Sequence, residues 1–286
     1  MASGMPELPE LEIYRENLVP LVAGRVIRAM DVLNIFTLRT ADPPLASAVG
    51  RAVAGVGRRD KHLTLFTEGG AHLIFHMKLS GRLRWKPNAE RLNAKIGCLK
   101  IDFDHGSLHM TEASTKKMAS LHVVRALEDC GELGRGAEPL DLPAPAFRDL
   151  LARENRQLKG ALTDPRVVAG IGNAYSDEIL FAAKLSPLKL THSLTDDEGS
   201  RLHVAMRATL REWIDRVRTV AAGALPTEQG GWRREMKVHG KFKSPCPACG
   251  ARIERIAYAD SETHYCPACQ NRGRKLSDRR LDRLMR

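Results

Sequence analysis

No apolar run in the 286-residue chain approaches the roughly 18 residues that a membrane-spanning helix needs. The first ten residues, MASGMPELPE, contain no lysine or arginine and no apolar core. A secretory leader is therefore not expected, and a cytoplasmic protein is. Internal repeats and low-complexity tracts are missing as well. With 43% hydrophobic and 28% charged residues, the composition is that of a folded globular chain rather than a disordered one. At about 100–200 residues per domain, the length suggests two domains.

The carboxyl end is short of acid. The chain carries a net charge of +11, and its last 54 residues hold 14 basic side chains against 6 acidic ones. Residues 1–135 hold 19 and 15, and residues 136–232 hold 12 and 13. A basic surplus gathered in this way reads as a nucleic-acid footprint, since neutralising phosphates releases counterions. A solubilising tail is the alternative. Four of the six cysteines lie in the same stretch: Cys246, Cys249, Cys266 and Cys269, spaced C-x2-C-x16-C-x2-C. Two residues between cysteines let one tight turn aim both sulfurs at a single ion, and two such turns close a tetrahedral zinc shell. Two disulfides are the competing reading, and they belong to exported proteins. Cys98 and Cys130 read as small apolar core residues.

Along the chain, Leu11, Tyr14, Leu18, Leu21 and Val22 share one helical face, and Pro9 and Gly24 punctuate a helix over 8–22. From about residue 25 to 121 the texture is short strands. LTLFTEGGAHLIFH reads as a pair joined at Gly69-Gly70, and LKIDFDHGSLHM as a pair joined at His105-Gly106. An antiparallel sandwich or barrel is expected there. The Pro-rich segment 138–147 marks a boundary, and helical spacing follows. GIGN at 170–173 interrupts two helices, with Asn173 placed to cap the second, a junction suited to binding a phosphate. Thr195 and Glu198 form a capping box opening a long helix.

Four separate stretches then carry a resemblance. MPELPELE at 5–12, GRRDKHL at 57–63 with HMKLSGRL at 76–83, NRQLKGALTDPRVVAGIGNAYSDEILF at 155–181, and VHGKFKSPCPACG with THYCPACQ resemble, in order, the motifs of the formamidopyrimidine-DNA glycosylase / endonuclease VIII family. The resemblance implies an α+β fold: an N-terminal β-sandwich with a leading α-helix, then a helix–two-turns–helix domain with a four-cysteine zinc finger. The corresponding segments are 5–135, 144–225 and 236–270, followed by a basic tail over 271–286. In this family a proline amine freed at the amino terminus attacks C1′ of the damaged nucleotide. An α-amino group, with a pKa of roughly 7.7–8.0, has a useful neutral fraction at pH 7, which a lysine at about 10.4 lacks.

Carried over residue by residue, the resemblance makes Pro6 the nucleophile, Glu7 the acid that protonates the opening sugar, Glu10 its assistant and Lys61 a contact near the lesion. Lys159 and Asn173 match phosphate-binding positions of the helix–two-turns–helix, and Lys241 lies in the zinc-finger motif that also contacts DNA. The bland alternatives are first-turn acids on a helix dipole for Glu7 and Glu10, and a solvated hairpin lysine for Lys61. A free Pro6 requires that translation start at Met5 or that the preceding MASG be removed.

Several positions depart from the family pattern. Oxidised-purine members fill the vacated base stack with a methionine where this chain has Leu79, and with an Arg-Phe pair where EASTKKMAS offers Lys117 and Met118. The alternative makes 112–120 a plain hairpin exit. Ser261 stands where a phosphate-holding arginine is usual, and the loop over 220–232 is shorter than the one that covers 8-oxoguanine. The resulting expectation is a monomeric, bifunctional DNA glycosylase and abasic-site lyase, with one structural Zn2+, acting on double-stranded DNA that contains oxidised bases or abasic sites. Its rivals are a non-catalytic DNA- or lesion-binding protein on the same scaffold and an RNA-associated zinc-ribbon protein.

Overall fold

The computed structural model describes residues 4–87, 90–226, 232–258 and 261–276. Among these, residues 4–134 and 214–226 form one compact unit, and residues 135–213 and 232–276 form a second.

The first unit opens with α1 (Leu8–Val22), whose ends are those expected from Pro9 and Gly24. Its face of Leu11, Tyr14, Leu18 and Val22 is fully buried. Among the described residues eight strands follow: β1 (Ala29–Val32), β2 (Val53–Arg59), β3 (His62–Thr67), β4 (His72–His76), β5 (Gly81–Lys86), β6 (Gly97–Phe103), β7 (Gly106–Glu112) and β8 (Ser120–Val124). They make two antiparallel sheets, ordered β1-β6-β7-β5 and β2-β3-β4-β8. Leu63, Leu65, Leu73 and Phe75 from one sheet share a single core with Leu99, Ile101, Leu108 and Met110 from the other, and α1 packs into it. That shared core makes the pair of sheets a sandwich.

Both expected hairpins are present, with one shift. Phe103 pairs with Gly106, so the second turn is Asp104-His105, and Gly106 already belongs to β7. A Cβ on Gly106 would stand 2.6 Å from the Trp85 ring, which explains glycine at a paired strand position.

The second unit contains α2 (Ala144–Ala152), α3 (Leu158–Thr163), α4 (Asn173–Ala182) and the first part of α5 (Asp196–Ala221). The capping box of α5 is present: the Thr195 N–H donates to Glu198 Oε2 at 2.9 Å, and the Glu198 N–H to Thr195 Oγ1 at 3.2 Å. The end of α5 and the residues after it belong to the first unit. There Arg218 donates to both oxygens of Glu16 at 2.9 Å, Asn17 Nδ2 donates to the Ala224 carbonyl, and Leu225 enters the sandwich core.

In the carboxyl segment, β9 (Glu254–Ala257) pairs antiparallel with β10 (Glu262–Tyr265), and α6 (Pro267–Asn271) follows. Phe181 of α4 packs with Val238, Ile253, Cys246 and Cys266. The fold is therefore α+β, with a leading helix, β-sheets, a helical domain and a terminal finger. The loop at 220–232 and the basic tail at 271–286 lie partly outside the described residues, as does the MASG segment.

Candidate active site and zinc centre

The start of α1 gathers the first group of candidate residues. Pro6 is buried, Glu7 is 4% exposed and Glu10 is fully buried. Glu10 lies one turn into the helix, so its carboxylate reaches back to accept the Glu7 N–H at 3.0 Å. This closes a capping box and fixes the backbone directly after Pro6.

Lys61 is half-buried in the two-residue turn Asp60-Lys61 between β2 and β3, where Asp60 takes φ +51°. Arg58 braces this turn to the helix. Its Nε donates to Glu12 Oε1 at 2.5 Å and its Nη1 to the Asp60 carbonyl at 3.1 Å. Glu12 is pushed upward by burial, but Arg58 and Arg15 outweigh that and hold it below the usual carboxylate range.

A second group surrounds Glu112. This buried carboxylate accepts the Met118 and Ala119 N–H groups at 2.7 and 2.9 Å, and the Ser80 hydroxyl at 3.0 Å. Lys117 Nζ donates to the Glu112 carbonyl at 2.6 Å. One side chain therefore ties the loop before β5 to the segment before β8. The first presents Leu79, 58% exposed, and the second presents Met118, 42% exposed. A Cβ on Gly81 would stand 2.4 Å from the Met77 carbonyl oxygen, so the Leu79 loop closes as it does only on glycine.

The third group is in the second unit. Asn173 is the first residue of α4, and the cap position is Gly172, so the expected side-chain cap is not formed. Lys159 Nζ donates to Asp177 Oδ1 at 2.5 Å and to the carbonyls of Glu262 at 3.2 Å and Asn173 at 3.4 Å. Fully buried Asp177 also accepts from His239 Nδ1 at 2.8 Å and the His264 N–H at 3.1 Å. Burial opposes its charge, yet Lys159 and the two histidines bring its pKa down to about 2. Glu178 accepts three successive N–H groups, from Lys237, Val238 and His239, at 2.8–2.9 Å. Lys241 Nζ donates to the Arg234 carbonyl, and Ser261 is exposed.

The four carboxyl-end cysteines bring their sulfurs together. Cys246 and Cys269 Sγ are 3.9 Å apart, and Cys249 and Cys266 Sγ are 3.5 Å apart. These separations are far beyond a disulfide bond of about 2.05 Å. They match the edges of a tetrahedron with zinc–sulfur bonds of about 2.3 Å. The disulfide reading fails, and the cluster is a structural zinc site.

Family models match three consecutive stretches: the formamidopyrimidine-DNA glycosylase N-terminal domain over 5–125, its H2TH domain over 133–222, and the zinc finger found in FPG and IleRS over 243–272. The chain belongs to the formamidopyrimidine-DNA glycosylase family. A formamidopyrimidine-DNA glycosylase of Thermus thermophilus is 34% identical over 280 residues, covering 94% of this chain and all of the relative. One from Symbiobacterium thermophilum is 34% identical over 288 residues, covering 96% and 93%. Among solved structures, the Lactococcus lactis Fpg in complex with DNA containing an abasic site superimposes with a TM-score of 0.82 at 28% identity, covering 93% of this chain and 99% of that one. The Thermus thermophilus MutM (Fpg) protein does so at 0.79 and 34% identity, covering 93% and 98%.

Membership makes the chain a DNA-repair glycosylase with a zinc finger. Among the described residues, no helix is long and apolar enough to cross a membrane. Sequence reasoning missed Glu112, Asp177 and Glu178. The last two left a signal, an acid pair inside the apolar run of α4, where every residue from Ala174 to Phe181 is buried. Such a pair requires partners, because burying a charge without them is prohibitive.

Proposed function

We propose that this formamidopyrimidine-DNA glycosylase is bifunctional: it excises oxidised bases from double-stranded DNA and then cleaves the abasic strand through a Pro6 iminium. The observation that carries the reading is the buried capping box at α1, which sets the Glu7 carboxyl one residue from Pro6 and anchors that backbone through Glu10. The L. lactis Fpg complexes with abasic-site DNA and with Fapy-dG DNA support damaged duplex DNA as the ligand of this chain too. The chain acts as a monomer.

With Pro6 freed at its nitrogen, the amine attacks C1′ as the glycosidic bond breaks, and the proton the nitrogen gives up leaves with the departing base. Glu7 protonates the ring oxygen as the sugar opens. The nitrogen lone pair then forms the iminium, which has no N–H to lose and therefore persists as an electron sink. Loss of a C2′ proton expels the 3′ phosphate, and a second elimination expels the 5′ phosphate. Lys61, braced to α1 through Arg58, contacts DNA near the lesion. Leu79 and Met118 fill the vacated stack with Lys117 beside them, and Asn173 and Lys241 serve the phosphates from the second unit. Lys159 spends its three donors on Asp177 and the carbonyls of Asn173 and Glu262, so its part is to hold the start of α4 in place.

The test is borohydride trapping on abasic-site DNA, using protein whose amino terminus is confirmed as Pro6 by mass spectrometry. A covalent cross-link is expected, and P6G should reduce it. Absence of any cross-link from that processed protein overturns the lyase reading and leaves a DNA-binding protein on the same scaffold. Native protein found intact at Met1 or Ala2 overturns the Pro6 mechanism in the cell.

A further inference from the structure

The outer face of the sheet β2-β3-β4-β8 carries a histidine cluster outside the groups described above. His62 and His76 are directly opposite each other in the β3–β4 ladder, with ring centroids 4.2 Å apart. His122 on β8 pairs with Ile74, two residues from His76, and so lies on the same face. The segment after β8 folds over this face, where Cys130, Leu127 and Leu133 pack on Ile74 and Val124. It buries all three rings and delivers Glu132 to them. The three residues are at most 9% exposed.

Both ring nitrogens of His62, both of His76 and Nε2 of His122 are buried without a hydrogen-bond partner. Leaving five such atoms unpaired is costly, and unpaired buried groups call for a missing water or ion. The separations favour an ion. His76 Nδ1 is 3.7 Å from Glu132 Oε2, and His122 Nε2 is 3.6 Å from Glu132 Oε1. These are too long for hydrogen bonds. The first, between two of the ligands, is close to the edge of about 3.4 Å expected when nitrogen and oxygen ligands sit about 2.1 Å from a tetrahedral ion. One donor atom each from His62, His76 and Glu132 lies within 4.8 Å of the others.

The geometry points to a second metal site, in which a zinc-class divalent cation is held by His62, His76 and Glu132. His122 faces the far oxygen of the carboxylate at 3.6 Å and completes the polar surroundings of Glu132. Two imidazoles and one carboxylate suit zinc or a neighbouring transition ion and not calcium or magnesium, which take oxygen ligands. Lys78 donates to Glu132 Oε2 at 2.9 Å, so its ammonium competes with the cation for that oxygen. The site pins the covering segment to the sheet and is distinct from the four-cysteine finger.

Full-length protein carrying zinc in its finger is titrated with zinc chloride by calorimetry, and bound metal is counted by mass spectrometry after desalting. Two zinc ions per chain are expected for the unaltered protein and one for H62N and for E132Q. H122N should weaken the second ion by about tenfold. K78M should tighten it, an outcome that misfolding cannot imitate. A single zinc in the unaltered protein overturns the proposal, as does a second ion that H62N and E132Q both retain. Circular dichroism verifies that each variant is folded before its zinc is counted.

Discussion

Lys159 and Asp177 form a buried ion pair, ammonium to carboxylate at 2.5 Å, beneath the junction of α4 with the finger segment. The side chains are 13% and 0% exposed. Breaking such a pair leaves a charge in a poorly polarisable interior, so K159M should cost about 3–5 kcal/mol in urea unfolding. The double variant K159M/D177N should recover part of that loss. The pH dependence follows from the carboxyl. Its folded pKa is about 2, below the ordinary 3.8, so its contribution is fully present above the unfolded pKa. It is lost as pH falls from about 4 towards 2, and the D177N variant should show a flatter stability curve over that window.

Glu112 predicts a split between two substitutions. In E112Q the amide oxygen can still accept the Met118 and Ala119 N–H groups, and the Ser80 hydroxyl can reverse to accept from the amide nitrogen. E112A strands both N–H groups, and each costs about 1–3 kcal/mol when buried unpaired. Thermal unfolding should therefore place E112Q near the unaltered protein and E112A well below it. Base excision should follow the same order, because the carboxylate aligns the loops that carry Leu79 and Met118. Equal behaviour of the two variants would contradict this account.

What was legible in the sequence was local. The α1 helix, the Thr195–Glu198 capping box and the cysteine spacing are each written within a few residues, and the structure contains all three. The hairpin turn is shifted by one residue because glycine at 106 has the look of a turn signal, whereas it is needed for the approach of Trp85. Glu112, Asp177 and Glu178 escape a sequence reading because their partners lie far along the chain, such as residues 237–239 for Glu178. His62 and His76 each read as the end of an apolar strand. Only the β3–β4 register sets them face to face. The candidate catalytic residues come from family resemblance, since a proline and two acids at a helix start have an ordinary structural explanation as well.

Removal of the finger zinc should be felt in α4. Cys246 and Cys266 share a small apolar cluster with Phe181, and Glu178 grips the backbone just before the finger. Zinc-coupled folding in such modules is worth about 10–16 kcal/mol. C266S, or stripping with a chelator, should lower the melting temperature and raise amide exchange in residues 173–182. DNA affinity should fall with it, while amides of the sandwich strands β6 and β7 stay protected. Unchanged exchange in α4 would mean that the finger is not supporting the helix.

Leu79 and Met118 allow function to be separated from stability. Both side chains are exposed, at 58% and 42%, so truncating them should alter unfolding free energy by no more than about 0.5 kcal/mol. If they occupy the space left by an extruded base, each truncation removes contacts made only in the bound complex. A loss of about 1.4 kcal/mol there corresponds to a tenfold fall in excision rate. L79A and M118A should therefore melt like the unaltered protein yet excise a damaged base from duplex DNA about tenfold more slowly. Cleavage of DNA that already contains an abasic site needs no base held out of the stack, so it should slow less. Equal slowing on both substrates would assign the two residues to general DNA binding instead of to the wedge.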